Sequence, residues 1–182
     1  MKKRLFPGLA AFCIASALSA ADAGPAGEFT ATARVDTPAG TRSMGLSVFV
    51  LRPMTIEEAQ PLRKVLAEGG QQALLNAIRG GNRGHFRLGA IDYPIDLAIA
   101  EPDRDGYKYI LVTARALKYE EVQEGSASLE HPFTIAVFQV PGFGSGEGTL
   151  YTKAAVSVDP DGHIRVDQYD NRGGTLRDIK RR

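Results

Sequence analysis

Past Glu28 the chain alternates apolar and polar residues, and this restricts it to an antiparallel sheet more firmly than any other feature. Phe29, Ala31, Ala33 and Val35 alternate with Thr30, Thr32, Arg34 and Asp36, the period of a half-buried strand. After the turn Thr37-Pro38-Ala39-Gly40, a second strand runs to about Leu51 with Met44, Leu46, Val48 and Val50 on one face. Two such strands across a short turn pair as a hairpin.

The period then becomes helical. Thr55-Ile56-Glu57-Glu58 has the composition of a capping box, in which Thr55 and Glu58 each accept the other's backbone amide. Pro61 lies deep for a first turn and predicts a late start or a kink. Leu62, Val65 and Leu66 form one apolar stripe and Leu74, Leu75 and Ile78 another, separated by Gly69-Gly70 and closed by Gly80-Gly81. The spacing predicts a pair of helices after the second strand.

Strand patterns return in residues 85–90, 94–100, 107–117, 132–140, 148–158, 163–169 and 175–180. Segment 132–140 is apolar on both faces, as in the middle of a sheet. Residues 118–130 are polar and long enough for a turn of helix. Asp103-Arg104-Asp105-Gly106 and Asp159-Pro160-Asp161-Gly162 are tight-turn compositions. The expectation is an α+β fold: an antiparallel β-sheet of about eight strands, curved into a barrel or folded as a sandwich, with a helical pair inserted after the second strand.

The first 23 residues stand apart. Lys2, Lys3 and Arg4 precede an apolar run over 5–20, and Ala21-Asp22-Ala23 presents small residues at both specificity positions of a signal-peptidase site. The pattern is that of a secretory signal peptide cleaved after Ala23, leaving residues 24–182 as a single exported β-rich domain, periplasmic or secreted. Cleavage removes Cys13, the one cysteine, so the mature part has no disulfide and no thiolate chemistry. Later segments fall short of the about 18 consecutive apolar residues of a membrane helix, so no stable membrane insertion is expected. With 22 basic and 21 acidic residues in the whole chain, charge gives no reason to expect a nucleic-acid partner.

The strand pair ahead of the helices, the segment Gly70-Gln71-Gln72-Ala73-Leu74-Leu75, the strand start Gly146-Glu147-Gly148-Thr149-Leu150 and the basic close Leu176-Arg177-Asp178-Ile179-Lys180-Arg181-Arg182 together resemble a family of uncharacterised secreted bacterial proteins. The resemblance covers most of residues 24–182. It implies export and a single domain, and it brings no catalytic residue with it.

Catalytic and metal patterns are weak. His85, His131 and His163 lie far apart, with neither His-Glu-x-x-His nor a helical histidine pair among them. Asp159, Asp161 and Gly162 suggest a calcium loop, yet the glycine is fourth rather than sixth and position twelve is Asp170, against the EF-hand requirement. The glycine-rich stretch from Gly142 to Gly148 joins two strands, and no helix follows to cradle a phosphate. Ser145 lacks the strand-to-helix elbow of a nucleophile. No metal and no cofactor are expected.

Aromatic residues cluster in the later strands, and a curved sheet closed by helices can hold an apolar interior. The reading is therefore an exported non-catalytic binding domain, a monomer or weakly self-associating. It holds a small apolar or amphipathic ligand between sheet and helices, with Tyr109, Phe138, Phe143 and Tyr151 as the ligand-binding residues. Two alternatives stay open. One is an envelope protein–protein interaction module with a filled core, binding through a sheet edge or the glycine loop. The other is a hydrolase of unrecognised type, requiring a histidine and carboxylates to converge in a cleft, for example His85 or His131 with Glu120 or Glu121.

Overall fold

The computed structural model describes residues 24–37, 40–115, 130–169 and 173–182. Among them the chain forms β1 (Gly27–Thr37), β2 (Gly40–Val50), α1 (Ile56–Ile78), β3 (Gly84–Leu88), β4 (Ile91–Ile95), β5 (Leu97–Asp103), β6 (Gly106–Thr113), β7 (Phe133–Pro141), β8 (Gly146–Val158), β9 (Ile164–Gln168) and β10 (Gly174–Arg181). The strands make one ten-stranded sheet in the order β4-β3-β2-β1-β10-β8-β7-β6-β5, with β9 added to β8. Every ladder between named strands is antiparallel.

The two ends of that order, β4 and β5, are consecutive in the chain, so the sheet curls until its edges meet at Asp96. There the Asp96 amide donates to the Val112 carbonyl at 2.9 Å, and the Thr113 hydroxyl to the Pro94 carbonyl at 2.7 Å. Met54, just past β2, bridges to β5 through Ala98 and Ala100. The result is a nearly closed barrel.

Alternation along each strand sends one set of side chains inward and the other outward. The inward set includes Phe29, Val48, Ile95, Tyr109, Phe138, Leu150 and Leu176, all buried in one cluster. Part of the outward set makes a second cluster: Leu97, Val112, Phe133, Ile135, Ala154 and Val156 lie beneath Leu66, Leu74, Leu75 and Ile78 of α1. The helix therefore packs on the outside of the barrel, against β5 and β8.

Three expectations need correcting. The sheet has ten strands rather than about eight. Part of the excess comes from segment 94–100, where Asp96 is a bend that separates β4 from β5. Ile95 faces the barrel interior and Leu97 faces α1, so the apparent alternation of Ile95, Leu97 and Ile99 crosses a change of face. The helical pair has no connecting loop and runs as one element, its two halves meeting across a kink at Gly70, whose φ of 68° and ψ of −172° suit glycine. Its start is not delayed by Pro61. The capping box forms as expected, Thr55 N–H to Glu58 Oε2 at 2.8 Å and Glu58 N–H to Thr55 Oγ1 at 3.1 Å, and it fixes the first turn at Ile56. The segment 1–23 expected to be a signal peptide, residues 38–39 of the first turn, and the helical turn expected within 118–130 (apart from Glu130) lie outside the described residues.

Candidate functional site

The four aromatics expected to bind a ligand do not converge. Tyr109 and Phe138 are 1% and 2% exposed and stack inside the barrel with centroids 5.4 Å apart. Phe29 packs against both, at 4.9 and 5.7 Å. The Tyr109 hydroxyl donates to the Pro25 carbonyl at 2.8 Å, and burial pushes its phenol up to about 12. Tyr151 lies on the outer face of β8, against the cluster under α1. Phe143 is 98% exposed, in the loop between β7 and β8.

That loop borders an open groove of about 950 Å³ at one end of the barrel. Antiparallel pairing brings its walls together. Gly106 pairs with Pro141 across β6 and β7, the Gly142 amide donates to the Asp105 carbonyl at 2.6 Å, and Ile179 of β10 pairs with Gly146. The lining is mixed in charge: Asp103, Asp105, Glu147 and Asp178 against Arg104 and Arg177. Asp178 has a φ of 54° and sits where the β10 register shifts between Leu176 and Ile179. Such a bulge re-aims side chains, and aspartate tolerates the left-handed conformation better than most residues.

A shallower depression of about 330 Å³ adjoins the groove on the outer face of the sheet and shares Gln139, Glu147 and Arg177 with it. The glycines of Gly146-Glu147-Gly148 have a steric reason here. A Cβ at Gly146 would collide with the Gln139 carbonyl oxygen, and one at Gly148 with that of Val137. Close strand approach, rather than phosphate binding, accounts for the motif.

The histidines stay apart. His85 stacks on Phe49 at 4.5 Å. His131 holds Nε2 at 3.5 Å from Asp167 and meets the edge of Tyr169 at 5.3 Å, at the end of β7 opposite the groove. Glu120 and Glu121, the example partners in the hydrolase reading, lie outside the described residues. Asp159, Asp161 and His163 bring one ligand atom each within 4.8 Å of one another. Asp159, however, accepts from the amides of Asp161 (3.0 Å) and His163 (2.8 Å) and from Arg165 Nε (3.2 Å). Those are the bonds that close the β8–β9 turn, and they account for the cluster.

Sequence reasoning did not single out Arg104, Glu147 or Asp178 as site residues, and it read Arg177 only as part of a basic end with Lys180, Arg181 and Arg182 that could touch an anionic surface or acidic partner. Each is a charge in a turn or near a terminus, which reads as solvated until the topology gathers them. The available signal was Phe143, a large aromatic within a glycine-rich loop. No family model, curated protein or solved structure matches this chain.

Proposed function

We propose that the chain is an exported, non-catalytic binding module that takes an extended segment of an envelope protein into the open end of its barrel. The observation that carries this reading is Phe143, 98% exposed on the loop that borders a groove of about 950 Å³. Interface cores are enriched in aromatic residues and arginine, and the groove beside the Phe143 loop is lined by Arg104 and Arg177. The mixed charge of the lining suits a polypeptide carrying both signs better than a polyanion. Export rests on the basic start, apolar run and Ala21-Asp22-Ala23 of the first 23 residues.

The reading with a small apolar ligand has less to stand on. Tyr109 and Phe138 spend their surfaces on Phe29 and on each other, and the seam between sheet and α1 is occupied by leucine, isoleucine and valine side chains.

Photo-crosslinking in the producing cells tests the proposal. A photoreactive residue at position 143 is expected to give discrete protein adducts in the envelope fraction, where the chain itself begins at Gly24. Reversing Arg104 and Arg177 together to glutamate should abolish the adducts while the melting temperature holds. A chain retained in the cytoplasm, no adduct from positions 143 and 145, or adducts indifferent to the reversal would overturn it.

A further inference from the structure

The strand β9 is paired on one side only. Its ladder to β8 runs without a bulge from Val158↔Ile164 to Ala154↔Gln168, and among the described residues no strand pairs with its other side. The phase of that ladder settles which backbone groups are open. The Asp159 amide donates to the His163 carbonyl at 2.9 Å, and hydrogen-bonded pairs alternate along an antiparallel ladder. Arg165 and Asp167 therefore turn their backbone groups toward β8, while Ile164, Val166 and Gln168 turn theirs to the open side. The Val156 amide, opposite Val166, accordingly points away from β9 and donates to Gln71 Oε1 at 3.4 Å.

We propose that β9 is a self-association edge, pairing antiparallel with β9 of a second copy about a two-fold axis through Val166. This choice of occupant rests on the charge order Arg165-Val166-Asp167, which is complementary to itself only when antiparallel. Centred on Val166, the pairing sets Arg165 of each copy opposite Asp167 of the other, so symmetry forms the ion pair twice. These are the non-hydrogen-bonded positions, where side chains approach most closely. Both side chains are well exposed, at 71% and 82%, and each would exchange a partner in its own chain, Asp159 for Arg165 and His131 for Asp167, for one in the second copy. The exposed Ile164 and Val166 lie opposite Val158 and Val156, so the pairing would continue the apolar row that α1 covers.

The contrast with β4 supports the assignment. That edge carries Pro94, which has no amide to offer, and the Pro94 carbonyl already accepts from Thr113 of β6. β9 has neither proline nor lysine. The inference is independent of the barrel-end groove, since β9 adjoins the other end of β8.

Sedimentation velocity tests it on the purified protein. A five-residue edge makes a small interface, so the mass should rise from one chain toward two between about 10 µM and about 1 mM. Asp167→Arg and Arg165→Glu should each weaken association about tenfold by opposing like charges twice. Mixing the two variants should restore it, because the all-basic edge then meets the all-acidic one. Val166→Pro removes an amide that faces the open side, so it should abolish association and leave the β8 ladder intact. It serves if Arg165→Glu, which faces Asp159, fails to fold. A mass of one chain throughout, association that Asp167→Arg and Val166→Pro leave unchanged, or folded variants that fail to restore it on mixing would overturn the proposal.

Discussion

Tyr109 shows how a single polar atom ties the barrel interior to the chain that enters it. Its ring belongs to the stacked cluster with Phe29 and Phe138, and its hydroxyl satisfies the Pro25 carbonyl. Burial raises its phenol from the ordinary 10 to about 12. The neutral form is thus favoured by folding. Its contribution to stability is complete below pH about 10 and is lost as pH rises from there toward about 12. Tyr109→Phe should remove this alkaline loss and cost about 1 kcal/mol at neutral pH through the missing hydrogen bond. Urea denaturation at pH 7 and at pH 11 checks both outcomes: the gap between wild type and variant should narrow at the higher pH.

At the scale of elements, the corner between β4 and β5 decides whether the sheet can close. Asp96, 7% exposed, accepts the Gly80 amide at 2.8 Å with one carboxylate oxygen and the Ala114 amide at 2.8 Å with the other. One side chain thus joins the turn after α1, the β4–β5 bend and the end of β6. Asp96→Ala would leave two amides without that acceptor, at a cost of about 2–4 kcal/mol. Asp96→Asn keeps one acceptor oxygen and should fall between, as measured by chemical denaturation. None of this is legible locally. In the sequence Asp96 interrupts an apolar run, and its partners stand 16 and 18 residues away. The capping box at Thr55 was legible for the opposite reason, since its two bonds span three residues.

For the molecule as a whole, closure of the barrel grades the protection of its strands. β1, β10, β8, β7 and β6 are each flanked by strands on both sides and carry much of the buried cluster, so their amides should open only with global unfolding. β9, exposed along its length and paired once, should exchange far sooner. Hydrogen exchange should therefore rank the central strands at least about a hundredfold slower than the open-side amides of Ile164, Val166 and Gln168. Equal protection across β8 and β9 would mean that the free edge is covered in solution. The β9 pairing, half formed at about 0.1 mM, slows those amides about tenfold at most at a protein concentration of about 1 mM, so the ranking holds with or without it.

The sequence by itself determined the periodicities: two residues per repeat in the strands, a capped helical segment after β2, turns at Asp103 and Asp159. Each follows from steric and hydrogen-bonding rules that act within a few residues. Only the tertiary structure decided that the sheet closes on itself, that Tyr109 and Phe138 fill its interior while Tyr151 lies outside, and that Arg104, Glu147 and Arg177 face one groove. Those outcomes depend on which strands become neighbours and on where a bend such as Asp96 exchanges inside for outside. A period-two pattern tells which residues share a face but carries no mark of which face will enclose the core.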